Sequence, residues 1–388
     1  MKSKLILFFL MLSGISHAQF KIDFLDLSLQ DAISKSASVG KPVFFMGFAS
    51  WCPHCKKMKE TIFTDSAVAD FYNSHYVCVE QDMEQGEGPE LAQKYSVHSY
   101  PTFVFLNGTG QRIFQSVGEL DSATFMTIGK AVLNPQKQLP YLQQQFEQNV
   151  GDTAKAIPYL QALNRGQLPT QEIAQRFFAT KTEKQMLNYE CWRVLNLGVS
   201  DISSPEFKFI VDHQKDYGEI ISPQRVQRKI FRTIAYNIQP LADKNDTAQY
   251  FALRKVAASF HNSQVDSLIF NLDLQLFEVN NQWSSYQQTA MQGTQRFEWN
   301  DYAQLQHISD MFLKSTTDAG ALSAAATWAK RSSDLQPQYA NLLLCAKLLE
   351  KTGDKTGAQA AAQKAIDLAA KTNSNHAEAD LLIKRVSQ

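Results

Sequence analysis

Between residues 28 and 133 the apolar positions change period several times, and each change marks an element. Ser28, with Asp31 three residues on, can cap a short helix that carries Leu29, Ala32 and Ile33 and that Gly40 can stop. Val43 to Phe48 is almost continuously apolar, the pattern of a central strand covered on both faces. Cys55, Met58 and Ile62 then share one face at helical spacing. Asp65 can start a further helix with Val68, Phe71 and Tyr72 turned inward, and Tyr76 to Val79 reads as a second buried strand. Thr102 to Leu106 and Gln111 to Gln115 flank Asn107-Gly108-Thr109-Gly110, which predicts a hairpin. Asp121 caps a last helix bearing Phe125, Ile128 and Val132. Strands with helices beside them, closed by a hairpin and a helix, predict an α/β sandwich.

Residues 134–140 hold two prolines among polar residues and read as a linker. Beyond it the period becomes helical, with no convincing strand, so 141–388 is expected to be an all-α domain. Its last part repeats at a constant offset of 37 residues: Tyr302-Ala303-Gln304-Leu305 meets Tyr339-Ala340-Asn341-Leu342, Lys314 meets Lys351, Gly320 meets Gly357, and Ala324-Ala325 meets Ala361-Ala362. Each unit reads as a helix, a short polar turn and an Ala-rich helix that lets its neighbour pack closely. The pattern near 301–388 resembles tetratricopeptide-like helical hairpins, without the fuller tetratricopeptide signature, and predicts an α-solenoid. No repeat is legible in residues 141–300.

Composition narrows the class. The chain has 388 residues, 44% of them hydrophobic, enough for two cored domains. Its 38 Lys and Arg balance 38 Asp and Glu, which gives no reason to expect nucleic acid or an anionic membrane as partner. The N-terminus sets the expected compartment. Lys2 and Lys4 precede an apolar run from Leu5 to Leu12, and Ser16-His17-Ala18 offers a cleavage site. That order is a secretory signal over residues 1–18, and the run is too short to span a bilayer. A mature chain starting at Gln19, periplasmic or secreted and not inserted in the membrane, follows as the expectation.

Five cysteines stand at 52, 55, 78, 191 and 345. Two stand close together and three are scattered among apolar residues, the pattern of one reactive pair with inert core thiols at Cys78, Cys191 and Cys345. The pair is Cys52-Pro53-His54-Cys55. Thiols at i and i+3 on the first turn of a helix lie on one side and can close a disulfide. Unpaired backbone N–H groups and the helix dipole favour a thiolate at the first of them. Cys52 is therefore the expected nucleophile and Cys55 the resolving thiol. Pro53 costs nothing at the first turn. His54, when protonated, and Lys56, Lys57 and Lys59 add positive field.

The stretches Phe48-Ala49-Ser50-Trp51-Cys52-Pro53-His54-Cys55-Lys56, Tyr100-Pro101-Thr102 and Val117-Gly118 carry a family resemblance. Residues from about 20 to 133 resemble the thioredoxin superfamily. Phe63-Thr64-Asp65-Ser66-Ala67-Val68 is most similar to its secreted branch, which includes the DsbD C-terminal domain. The resemblance implies a thioredoxin fold over 19–133, a cis Pro101 facing the Cys pair, and a backbone at Tyr100 that takes the substrate chain as an added strand beside Trp51 and Pro53. Thioredoxins also place a buried acid six residues before the first Cys. Met46 stands there, so the Cys55 proton must go to water, to a substrate thiol or to another carboxylate, Glu80 and Asp82 being nearest by strand order. The Pro-His dipeptide is that of DsbA and suggests an oxidising potential, though the redox partner decides direction.

Cys52, His54 and Cys55, with His98, could offer soft ligands to Cu(I), but a second Cys/His pair at zinc spacing is missing. No metal and no cofactor is expected. His75, His98 and His213 read as ordinary surface or core residues, and Trp192, Trp283, Trp299 and Trp328 as core. The leading reading is an exported thiol–disulfide oxidoreductase acting on protein thiols or disulfides with a redox partner, its helical domain recruiting substrate or partner. The alternative is a helical-repeat binding protein in which the Cys-bearing domain is a scaffold or a redox-sensitive lock.

Overall fold

A computed structural model describes residues 21–371 and 374–388. The signal segment expected at 1–18 lies outside them. No helix among the described residues is long and apolar enough to cross a membrane.

The chain forms two compact units, one running to residue 200 and including 212–223, the other made of 201–211 and 224–388. The first opens with α1 (Leu29–Val39), whose cap Ser28 accepts the Asp31 N–H and whose stop, Gly40, has φ +67°. Then come β1 (Val43–Phe48), α2 (Pro53–Lys57) running into a π-helical turn (Met58–Ile62), α3 (Ser66–His75), β2 (Val77–Asp82) and α4 (Gly88–Tyr95). The strands β3 (Thr102–Leu106) and β4 (Arg112–Val117) and the helix α5 (Ser122–Val132) complete this part. The four strands form one sheet in the order β2-β1-β3-β4, β1 parallel to β2 and the other pairs antiparallel.

Alternation along β1 and β3 feeds two cores. Phe44, Met46, Phe103 and Phe105 join Tyr72 of α3 and Phe125 of α5 on one face. Val43, Phe45, Val104 and Leu106 join Ala32 and Ile33 of α1 and Tyr95 of α4 on the other. Both sheet faces are therefore dry, which is why the central strand reads as unbroken apolar sequence. The asparagine of the hairpin holds the turn: Asn107 Oδ1 accepts the N–H groups of Thr109 and Gln111. Helix α4 has no counterpart in the periodicity reading. Its local signals are Pro89 and Glu90 in the first turn, and its apolar face is short.

The linker expected at 134–140 contains a single 3₁₀ turn, Pro135–Lys137, and the start of α6 (Leu139–Gln148). The compact unit does not end there. The helices α7 (Thr153–Arg165), α8 (Gln171–Phe178), α9 (Glu183–Met186) and α10 (Tyr189–Gly198) continue it, and α6 and α7 pack on β4. The physical reason lies in the strand itself. β4 is an edge, and its Gln115 and Ser116 are buried, which needs a cover. Gln115 Nε2 donates to the Gly166 carbonyl at 2.9 Å, and Arg165 stacks over Phe114.

In the second unit the helix pair α17 (Tyr302–Ser315) and α18 (Ala319–Leu335) is followed by the pair α19 (Tyr339–Lys351) and α20 (Lys355–Lys371); α11 to α16 are the helices between Pro205 and Phe297, of which α12 (Gln214–Ile220) belongs to the first unit. The 37-residue repeat maps on this arrangement. Tyr302 and Tyr339 each begin the first helix of a pair, Leu305 and Leu342 are buried at matching positions, and Ala325 and Ala362 are buried on the second helices.

Candidate active site

The Cys pair sits where β1 gives way to α2. Cys52 is the N-cap residue, in extended conformation, and Pro53 occupies the first turn. Its sulfur takes the place of a capping oxygen: Cys52 Sγ accepts the Cys55 N–H at 3.2 Å and the Cys55 thiol at 2.7 Å. Both are free thiols and both are buried. Two donors are thus aimed at one sulfur.

The rim is built from charged and aromatic side chains. Trp51 is 67% exposed, lies edge-on to Tyr100, and donates from Nε1 to Glu84 Oε2 at 2.7 Å. The Tyr100–Pro101 bond is cis, and the Pro101 carbonyl accepts the Gly118 N–H at 2.8 Å. Pro101 is buried and Tyr100 half-buried. His54 Nδ1 lies 2.7 Å from Glu119 Oε2, and Lys57 pairs with Glu119 Oε1. Those hydrogen bonds, Lys57's first and His54's second, hold the Glu119 carboxyl below the usual carboxylate range. Glu119 and Glu84 are beyond sequence reasoning, because both reach the site from loops far along the chain. The one available signal for Glu119 is its place directly after Val117-Gly118.

The two carboxylates nearest by strand order, Glu80 and Asp82, have different partners. Glu80 sits in register beside Met46 and pairs with Lys59 at 2.9 Å, with Lys59 also lying 3.6 Å over the Phe48 ring. Asp82 is occupied by the loop, accepting the N–H groups of Ser50 and Glu84. His98 is exposed, and no group of three metal-ligating side chains is found among the described residues.

Burial, reinforced by the hydrogen bond to Cys52, pushes the Cys55 thiol up to about 12. Burial pushes Cys78 to about 12 and Cys345 to about 11, and raises Cys191. A raised thiol stays neutral and unreactive at every pH below its new value. In fully reduced protein at about pH 7, iodoacetamide should therefore label Cys52 first and leave the other four until the chain unfolds. Peptide mapping by mass spectrometry reads this, and labelling of Cys78 as fast as Cys52 would refute it.

A Cys pair at a strand-to-helix junction and a cis Tyr100–Pro101 bond invite comparison with known redox proteins, and a thioredoxin-like domain family matches residues 29–133. Residues 29–133 are a thioredoxin-like domain. The chain is similar to the thiol:disulfide interchange protein DsbD of Actinobacillus pleuropneumoniae, 32% identical over 95 residues, which are 24% of this chain and 16% of that protein. It is also similar to thioredoxin-1 of Drosophila melanogaster, 41% identical over 59 residues, 15% of this chain and 50% of that one. The chain thus spans half or less of the length of these curated relatives. Among solved structures, a candidate disulphide-isomerase from Bacteroides thetaiotaomicron is 39% identical, with 29% of this chain and 94% of that chain covered and a TM-score of 0.27. The thioredoxin-like domain is followed by helices alone among the described residues.

Proposed function

We propose that this protein is an exported thiol–disulfide oxidoreductase that exchanges disulfides with proteins through Cys52. The observation that carries the reading is the Cys52 sulfur, capping α2 and receiving both the N–H and the thiol of Cys55. In the reducing direction, Cys52 thiolate attacks a substrate disulfide. The substrate S–S bond breaks, a Cys52–substrate disulfide forms, and the leaving substrate thiolate takes up a proton. Cys55 then loses its proton and attacks the Cys52 sulfur, which releases the second substrate thiolate. The substrate gains two electrons and the Cys pair becomes a disulfide, which a dithiol of a redox partner protein reduces again. The reverse sequence oxidises a substrate dithiol. We assign the Cys55 proton to Glu80, which is paired with Lys59.

Activity is tested by exchange with oxidised mercaptoethanol and by the equilibrium reduction potential of the pair. A potential near that of DsbA assigns oxidation or isomerisation, and one near thioredoxin assigns reduction. A pair that does not exchange at all overturns the reading. Export rests on the charged, apolar and small-residue order of residues 1–18. The intact mass of the exported protein should correspond to a chain starting at Gln19. A soluble product that keeps Met1 to Ala18 would refute cleavage.

A further inference from the structure

A disulfide held in a polypeptide needs a surface for the chain around it, and one adjoins the Pro101 loop. A groove of about 570 Å³ runs there, with Val117, Leu120 and Ile128 of the thioredoxin-like domain on one side. Asn164, Arg165 and Gln167, at the end of α7, line the other. Its near end belongs to the site. Val117 is paired with Thr102 beside Pro101, and the Leu120 N–H points at the sulfur of Met58, in the turn that continues α2.

The far wall is fixed in place and chemically distinct. The Gly166 carbonyl takes the buried Gln115 amide, and a Cβ on Gly166 would come within 2.9 Å of Gln115 Cβ, so α7 ends hard against β4. The next residue, Gln167, has φ +52°. Glycine fills such a helix-ending left-handed position at least cost. A glutamine there is explained by its side chain: Gln167 Oε1 accepts the Ser99 hydroxyl at 2.8 Å. Ser99 lies two residues before Pro101, and its carbonyl accepts the Thr102 hydroxyl at 2.6 Å. Arg165 is exposed and is the one charged side chain lining the groove among the described residues. It stacks over Phe114 and has no carboxylate partner among them.

We propose that the end of α7 is part of the substrate-binding surface of the redox site, with Gln167 positioning the Pro101 loop through Ser99 and Arg165 receiving an acidic side chain of an extended protein substrate laid in the groove. The apolar residues of that segment lie on Val117 and Leu120. Gln167 is a positioning residue and Arg165 a specificity residue; neither touches the reacting sulfurs. The inference rests on the thiol–disulfide reading of the Cys pair and says which polypeptides it serves best.

The test uses the full-length chain, oxidised mercaptoethanol, and two synthetic peptide disulfides that differ only in acidic or basic residues flanking the cysteine. The wild-type chain should favour the acidic peptide about tenfold in kcat/KM, the scale of one charge-assisted pair. Arg165→Glu should invert that preference. Gln167→Gly should keep or raise the thermal midpoint, because glycine relieves the left-handed backbone, and should lower kcat/KM for both peptides. An unchanged preference in Arg165→Glu overturns the groove. Unchanged peptide kinetics in Gln167→Gly overturns the positioning role. Wild-type exchange with oxidised mercaptoethanol but no acidic preference also sinks the groove and leaves the redox reading standing. No exchange with oxidised mercaptoethanol sinks that reading itself.

Discussion

Cys52→Ser is expected to bring exchange down to the uncatalysed rate, while Cys55→Ser stops turnover and accumulates mixed disulfides with protein substrates. The asymmetry follows from the position of each sulfur. Cys52 Sγ stands at the start of α2, where helix N–H groups have no partners inside the helix, and it accepts from Cys55. Cys55 is one turn inside, and burial keeps it a thiol up to about 12. It becomes a nucleophile only when Cys52 is already bonded to substrate and Cys55 loses its proton. Removing Cys55 therefore leaves the first step intact and blocks the second, so the covalent intermediate persists. Removing Cys52 leaves no first step. Non-reducing gels of the full-length chain incubated with protein thiols and disulfides, followed by mass spectrometry of the trapped species, read both variants. Mixed disulfides forming through Cys55 in the Cys52→Ser chain would reverse the assignment.

The order of legibility along the chain follows the range of the interactions involved. The caps Ser28, Asp65 and Asp121 accept N–H groups two or three residues on, so each is written locally, and each does so in the structure. The central strand β1 and the i, i+3 cysteines are also local patterns, as is the 37-residue repeat at the start of α17 and α19. Long-range features are not legible in this way. Glu119 reaches His54 across 65 residues, and Gln167 reaches Ser99 across 68. Neither pairing leaves a periodic trace in the chain. Gln115 is the instructive case. In a strand at the sheet edge, a polar residue reads as solvent-facing, yet it is 1% exposed and bound to Gly166. A polar side chain buried by a later helix looks the same, in sequence, as one facing water.

The buried edge at β4 sets where the unit that carries the Cys pair ends. The composition of residues 134–140 points to a break, and a fragment ending at Leu133 would contain the Cys pair, α2 and the Pro101 loop. It would also strip α6 and α7 from β4. Arg165 of α7 stacks over Phe114, which is 4% exposed in the whole chain, and uncovering a buried aromatic costs up to about 1.5–3 kcal/mol. The Gln115–Gly166 hydrogen bond goes with it. What remains is an open strand edge with apolar neighbours, the feature that pairs with other chains. A fragment 21–133 should therefore unfold at lower denaturant than a fragment 21–223 and should aggregate on concentration. The longer fragment retains α6 to α10 and the segment 212–223 that belongs to the same compact unit. It should unfold cooperatively and exchange oxidised mercaptoethanol at close to the full-length rate, since no residue of the second unit takes part in the site described. Denaturant titrations with the two fragments decide between the boundaries. Equal midpoints, with a slope that scales only with chain length, would place the true break at 134–140 and make α6 to α10 an accessory layer. A lower midpoint for 21–133 makes those helices structural partners of the sheet that carries the cysteines.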